Sequence, residues 1–271
     1  MQLQSFLYLC VLKPTILSFM SKIVFITGAS SGIGAACAHK FAQAGYTLLL
    51  NARNEEKLHA LQAELENKYH SNVQLLLFDV RDRVSAQSAL EALPEKYQSI
   101  DVLVNNAGLA LGMDKEYEGT EEDYDTMIDT NITALLMITR LVVPAMVKRG
   151  KGHIINIGSV AGDAAYPGGS VYCATKAAVK VLSDGLRMDL VDTPLRVTNV
   201  KPGLVETNFS ITRFAGDKER ADKVYKGITP LTGEDIAEVV YFAASAPAHV
   251  QIAEVLVLAT HQASGSLVYR E

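Results

Sequence analysis

Tyr172 and Lys176 stand four residues apart in the run YCATK, and on a helix that spacing puts both side chains on one face. A free phenol with its ordinary pKa of about 10 is a poor base at neutral pH. A neighbouring ammonium favours the phenolate and is expected to lower that pKa. Such a pair could take the proton of an alcohol, or return it to a carbonyl, while the carbon beside it is oxidised or reduced. Thirteen residues earlier, Ser159 follows the apolar run HIINI (153–157) and could hydrogen-bond the substrate oxygen, holding it against the phenol. Alone, a Y-x-x-x-K pair is an ordinary surface pair of a helix, so its meaning depends on the rest of the chain.

The second chemical feature is TGASSGIG, Thr27 to Gly34, lying between an apolar strand candidate and a helical stretch. Thr27, Gly28, Ser30, Ser31, Gly32, Ile33 and Gly34 would there form a sharp turn whose backbone N–H groups meet a pyrophosphate at a helix N-terminus. The spacing is G-x-x-x-G-x-G rather than the G-x-G-x-x-G of the usual dinucleotide fingerprint. An NAD site places a carboxylate at the end of the second strand, on the ribose 2′-hydroxyl. Here that strand ends Leu50-Asn51-Ala52-Arg53, with no acid. Arg53 can instead face a 2′-phosphate, so the cofactor expected is NADP(H). Asp79 and Val80, and Asn106, Ala107 and Gly108 of the NNAG run, fall at C-terminal strand ends, where open α/β sheets bind ligands.

Positioning these groups requires a particular scaffold. From Lys22 onward, short apolar runs alternate with longer amphipathic ones. The strand candidates are 22–27, 46–51, 73–78, 102–105, 153–157, 196–200 and 254–258, each apolar on both faces, as in a buried parallel sheet. Helical stretches near 33–44, 54–69, 84–97, 121–149, 170–191 and 233–245 are long enough for right-handed crossovers. The expectation is one α/β domain, 21–271, with a doubly wound parallel sheet. The long irregular interval 203–230 is expected to be a substrate loop containing helical pieces.

Composition narrows the partners. The chain has 271 residues, 49% hydrophobic and 20% charged, with 25 Lys and Arg against 30 Asp and Glu, a net charge of −5. No basic face for nucleic acid is implied. Cys10, Cys37 and Cys173 form no CxxC pair or disulfide framework, which suits a reducing, cytoplasmic location. The six histidines show no metal-ligand spacing, so no metal is expected. Residues 1–20 are apolar, but Lys13-Pro14 interrupts them after about ten residues, short of a membrane span. They are read as an extension outside the fold, with Met20 as the start and no membrane expected. A membrane-associating leader is the competing reading.

Taken together, TGASSGIG, NNAG, Asn131 in DTNITA, Ser159, Tyr172 with Lys176, and PGLVET (202–207) resemble the short-chain dehydrogenase/reductase family in order and approximate spacing, from about Ser21 to the C-terminal region. The resemblance implies a single-domain Rossmann-like sheet of seven strands in the order 3-2-1-4-5-6-7. It also implies a catalytic tetrad of Asn131, Ser159, Tyr172 and Lys176, with Asn131 in a water-linked proton relay through Lys176. Pro202, Gly203, Val205 and Thr207 match the segment that contacts the nicotinamide in that family. The long helices 121–149 and 170–191 resemble the pair that packs across a two-fold axis in its members, which implies a homotetramer.

A narrower resemblance, carried by NNAGLALGM (105–113), MIDTN (127–131), HIINIGS (153–159), RFAGD (213–217) and PAHV (247–250), is to the bacterial NADP-dependent 3-hydroxy acid dehydrogenases. It implies serine, allo-threonine, 3-hydroxypropionate or malonic semialdehyde as substrate type. Where those relatives carry two adjacent basic residues after the second strand, Arg53 here is followed by Asn54. A 3-oxoacyl thioester or other carbonyl reductase is the alternative within the family, and a non-catalytic NADP-binding sensor the alternative outside it. A 3-hydroxy acid brings a carboxylate into a pocket expected to be lined by Leu109, Ala110, Leu111, Met113, Ala161 and Tyr166, so a cationic partner is needed. Among Arg213, Lys218, Arg220, Lys223 and Lys226 of the 203–230 interval, Arg213 lies nearest the nicotinamide segment and is assigned to the substrate. The other reading of Arg213 is a solvated residue or an ion pair with Asp217.

Overall fold

The computed structural model describes residues 21–271; the expectations for residues 1–20 lie outside them. Seven strands form one parallel sheet: β1 (Ile23–Ile26), β2 (Thr47–Ala52), β3 (Val73–Leu77), β4 (Ile100–Asn105), β5 (His153–Ile157), β6 (Arg196–Pro202) and β7 (Glu254–Val257). Their order is β3-β2-β1-β4-β5-β6-β7, as expected. The reversal between β1 and β4 creates the crevice at the C-terminal strand ends where such sheets bind ligands. The central strands are buried on both faces, which explains their unbroken apolar runs. The edge strands β3 and β7 are different: in β3 only Val73 and Leu76 are buried, and in β7 exposed and half-buried residues alternate, contrary to the expectation of burial on both faces.

Helices cover the two faces. On one side α1 (Gly32–Gln43), α2 (Glu55–Tyr69) and α9 (Gly233–Ser245) bury Phe41, Leu58, Leu65, Ile236 and Val240 against Val24, Ile26, Leu48 and Leu50. On the other, α3 (Arg83–Glu91), α4 (Glu121–Ile128), α5 (Ala134–Arg149) and α6 (Ser170–Asp189) complete the layer. There Ile138, Val142 and Met146 of α5 meet Phe25, Leu103 and Ile154. The 84–97 stretch is shorter than expected, since α3 ends at Glu91 and Pro94 precedes a separate 3-10 turn, Glu95–Tyr97. The 121–149 stretch is interrupted by a π turn, Asp129–Thr133, between α4 and α5. Together Glu121–Arg149 span 29 residues, and an 18-residue window within them reaches a mean hydropathy of 1.6, long and apolar enough by those measures to cross a membrane. Its apolar stripe is committed to the core beneath the sheet. The 203–230 interval contains α7 (Phe209–Arg213) and α8 (Lys218–Tyr225), the helical pieces foreseen for it.

Candidate active site

A cavity of about 700 Å³ opens along the C-terminal ends of β1, β2, β4, β5 and β6, within the range of ordinary ligand sites. At one end the turn after β1 enters α1. Gly28 has φ +65° there, and a Cβ on it would come within 2.9 Å of Ala107 Cα, so the turn tolerates only glycine. Asn106 clamps this turn, its Nδ2 donating to Thr27 O at 2.9 Å, while Thr27 Oγ1 accepts from the N–H groups of Asn106 and Ala107. Ser31, at the N-cap of α1, makes no side-chain capping bond, so the helix's first turn keeps its N–H groups for another acceptor. Gly28, Ser30, Ser31, Gly32, Ile33, Asn106, Ala107 and Gly108 all line the cavity. That end of the cavity is therefore built to receive an anion from backbone donors.

Arg53, Asp79 and Val80 line the same end. Arg81, which the sequence reading passed over, holds the Asp79 carboxylate, with Nη2 at 2.8 Å, and pulls its pKa down to about 2. Arg53 reaches Asp79 only at 3.5 Å and its side chain is 64% exposed, so it remains available to a ligand. Asn54, which stands where a second basic residue would be, caps α2 by accepting from Lys57 N–H.

At the other end, α6 presents Tyr172 and Lys176, both buried, to the same space. Ser159 begins a 3-10 turn, Val160–Gly162, after β5; its hydroxyl accepts from Ala161 N–H at 3.1 Å and donates to Pro202 O at 3.4 Å. Lys176 Nζ donates to Ile157 O at 2.8 Å and lies 5.9 Å from the centre of the Tyr172 ring. The phenol is not lowered as the sequence predicted. Burial pushes its pKa well above the ordinary value, with the Ser159 hydroxyl and the Arg213 charge pulling the other way. Burial also lowers the Lys176 amine to about 8, which weakens the cation expected to tune the phenol.

Asn131 lies in the π turn, where the wider turn directs its side chain inward. It exchanges two hydrogen bonds with Leu109, and its Nδ2 also donates to Thr175 Oγ1 at 3.0 Å. Thr175 had no signal in the sequence, because a threonine inside a helix reads as neutral. A Cβ on Gly108 would lie 3.1 Å from Asn131 Oδ1 and 3.4 Å from Lys176 Nζ, so the glycine leaves room for both side chains.

Arg213 at the end of α7 also lines the cavity. Its Nε donates to Gly112 O at 3.0 Å, its Nη1 to the Tyr166 hydroxyl at 2.9 Å, and its guanidinium carbon lies 5.8 Å from the Tyr172 ring centre. The ion pair with Asp217 does not form; Asp217 caps α8 by accepting from Arg220 N–H. Of the other cations in the 203–230 interval, Arg220 packs over Phe214 and Lys223 pairs with Glu219. Leu109, Met113, Ala161 and Tyr166 line the cavity as expected. Ala110 is instead buried in a small core with Met127 and Cys173, and Leu111 lines a separate small hollow beside α4. Pro202, Gly203, Val205 and Thr207 line the same cavity. The C-terminal segment, also missed in the sequence, adds Gln262, which accepts from Leu204 N–H at 2.8 Å, and Arg270, which binds the carbonyls of Val224 and Lys226. Among the described residues no group of His, Cys, Asp and Glu could hold a metal.

Comparison with known proteins gives this architecture its relatives. The chain is 47% identical over 251 residues to an NADP-dependent 3-hydroxy acid dehydrogenase of Schizosaccharomyces pombe, covering 92% of this chain and 97% of that one. It is 43% identical over 253 residues to a serine 3-dehydrogenase of Agrobacterium fabrum, covering 93% and 100%. The closed form of a serine dehydrogenase complexed with NADP+ superposes with a TM-score of 0.86 at 44% identity, covering 92% of this chain and all of that one. The family profile described as short chain dehydrogenase matches residues 22–218. With most of its length matched by that profile and by relatives of this identity, the chain belongs to the short-chain dehydrogenase/reductase family.

Proposed function

We propose that the protein is an NADP-dependent oxidoreductase acting on the hydroxyl-bearing carbon of small 3-hydroxy acids, or on the corresponding carbonyl acids. The observation that carries the substrate class is Arg213, a cation on the cavity wall beside Tyr172. Two of its donors are committed to Gly112 O and the Tyr166 hydroxyl, which fix the guanidinium and leave its remaining N–H groups for a carboxylate. An anion anchor at Arg213 would stand one short carbon chain from the phenol, in a pocket otherwise apolar at Leu109, Met113 and Ala161. The relatives named as 3-hydroxy acid and serine dehydrogenases support the same class.

The residues present fit the nucleotide. The uncapped first turn of α1 and the Gly28 turn suit its pyrophosphate, and exposed Arg53 without a neighbouring strand-end acid on β2 suits a 2′-phosphate. Gly28, Ser30, Ser31, Gly32, Ile33, Arg53, Asp79, Val80, Asn106, Ala107, Gly108, Tyr172, Lys176, Pro202, Gly203, Val205 and Thr207 line the cavity and would hold it, while Thr27 and Gly34, which do not line it, shape the turn. When bound, its nicotinamide supplies or accepts the hydride.

The chain's own groups handle the proton. Ser159 hydrogen-bonds the substrate oxygen, and Tyr172 exchanges a proton with it. With its pKa raised by burial, the phenol is protonated at neutral pH, a state suited to donating to a carbonyl oxygen as it is reduced. Lys176, held by Ile157 O, stands beside the phenol, and Asn131 fixes the backbone of Leu109 and the hydroxyl of Thr175 next to it. Residues 21–271 act as one unit, with 203–230 as its substrate loop. The exposed Leu136 and Val147 of α5 and Val181 and Met188 of α6 support assembly as a homotetramer, and a cytoplasmic location accords with buried free Cys37 and Cys173.

The test is a panel of NADP and NAD against serine, allo-threonine, 3-hydroxypropionate, 3-hydroxybutyrate and a 3-oxoacyl thioester. Turnover of the hydroxy acids with NADP is expected. Turnover of the thioester alone would replace this reading, and binding of NADP without any turnover would indicate a sensor.

A further inference from the structure

Lys201 on β6 stands next to Pro202 yet does not line the cavity, and it is buried. Its Nζ donates to Asp163 Oδ1 and to Glu254 Oε1, each at 2.8 Å. Burial alone would lower its pKa, but the two carboxylate bonds outweigh burial and raise it, so the ammonium is kept charged. A buried lysine held by two carboxylates that are each about one-third exposed, 35% for Asp163 and 34% for Glu254, adds little net stability compared with apolar packing, which directs attention to the geometry it fixes.

That geometry concerns the turn carrying Ser159. Asp163 closes the 3-10 turn Val160–Gly162 at its C-cap, its N–H donating to Val160 O. The turn packs directly on α6: a Cβ at Gly162 would lie 2.6 Å from Lys176 O, so this contact is made backbone to backbone. On its other side the turn is held to β6 through Ser159 Oγ and Pro202 O and through the Gly158 N–H bond to Val200 O at 2.8 Å. The triad therefore ties the far end of the turn to β6 and β7 while its near end carries Ser159.

We propose that Lys201 is a positioning residue that, through Asp163 and Glu254, clamps the Ser159 turn between β6 and α6 and so sets the Ser159 hydroxyl against the Tyr172 phenol. The proposal rests on the assignment of Ser159 and Tyr172 above. It distinguishes positioning from a field effect, because the two have opposite signs at Asp163. Removing a negative charge would lower the Tyr172 pKa by its field, whereas releasing the turn takes the Ser159 hydroxyl, which pulls that pKa down, away from the phenol and so raises it. The groups facing Tyr172 are Lys176 and Cys173 on α6, Tyr166 before it, Arg213 from the lid and Ser159. Apart from Ser159, none belongs to the clamp.

The variants are Lys201→Met and Asp163→Ala; the second removes only a side chain that is 35% exposed, so it does not threaten folding. Amide hydrogen exchange on the full chain is expected to rise across 158–163 in both variants while the strands of the sheet stay protected. In both, kcat should fall by roughly 10-fold or more, as a displacement of the order of 1 Å can produce, with KM for the nucleotide unchanged. The apparent pKa governing kcat should rise in both. Unchanged exchange across 158–163 would overturn the clamp whatever the activity. Loosened exchange with a pKa that falls or stays put in Asp163→Ala would overturn its link to Tyr172. If the unaltered protein turns over no 3-hydroxy acid, the substrate assignment fails, and hydrogen exchange alone decides the clamp.

Discussion

Arg213 and Tyr166 are joined by a hydrogen bond of 2.9 Å from the guanidinium Nη1 to the phenolic oxygen, although 46 residues separate them in sequence. The bond fixes a flexible lid side chain to the loop preceding α6 and orients it toward the same space that Tyr172 faces. A cation held this way loses less side-chain freedom when a carboxylate arrives, which favours binding. Arg213→Ala is accordingly expected to raise KM for 3-hydroxy acids by 10-fold or more, and much less for the corresponding uncharged esters, because only the acids lose a charge-assisted pair. Equal KM ratios for acid and ester would show that another group holds the carboxylate.

Tyr172→Phe removes one oxygen from a buried ring that packs on Phe209 with centroids 5.6 Å apart, so its packing survives. Turnover should drop by ~10²-fold or more, with nucleotide affinity retained. Lys176→Ala should lose a comparable amount. Near-normal turnover in Tyr172→Phe would remove the phenol from the mechanism.

Much of this site could be read from the sequence because its parts are punctuated by residues with few structural alternatives. The glycines of the β1–α1 turn, the strand-end NNAG run and the Tyr172–Lys176 spacing each tie a residue type to one backbone geometry. Asn131 was legible only through family resemblance, since nothing in DTNITA announces a π turn. The phenol's raised pKa was not legible at all: spacing shows that a lysine is near but not how deeply both groups are buried, and here burial outweighs the charge. The Lys201 triad joins β6, β7 and the Ser159 turn across 91 residues of sequence, so it exists only in the folded chain. Likewise β7 carries an apolar run that looks buried, yet as the last strand of the sheet it keeps one edge unpaired.

Arg53 has only a 3.5 Å contact with Asp79, whose carboxylate is already satisfied by Arg81. Arg53→Ala is therefore expected to weaken NADP far more than NAD, measured as the ratio of the two dissociation constants, while leaving stability nearly unchanged. Equal losses for both nucleotides would mean that Arg53 does not read the 2′-phosphate.

α6 carries exposed apolar side chains, Val181 at 67% and Met188 at 73% exposure, that an assembly would cover. Light scattering at micromolar concentration is expected to give the mass of a tetramer. Val181→Glu combined with Met188→Glu should shift it to smaller species; a monomer for the unaltered chain would contradict the assembly outright.

Lys176 links activity to stability through its ionisation. In the fold its pKa falls from 10.5 to about 8 because burial disfavours the ammonium. The unfolded chain thus binds more protons than the native one between these two values, and stability gained from this group must rise with pH across that window. Below about 8 the native protein carries the full cost of a buried charge, of the order of 3 kcal/mol from the difference between the two pKa values. Lys176→Met keeps a helix-forming side chain of similar length and carries no ionisable group, so its stability lacks this pH dependence. Urea unfolding of the two proteins should show the difference in stability moving in favour of the lysine protein as pH rises from about 8 toward 10.5, with turnover lost in the variant at every pH. Parallel stability curves through that window would mean that Lys176 keeps its ordinary pKa in the fold, and that burial does not govern the amine beside Tyr172.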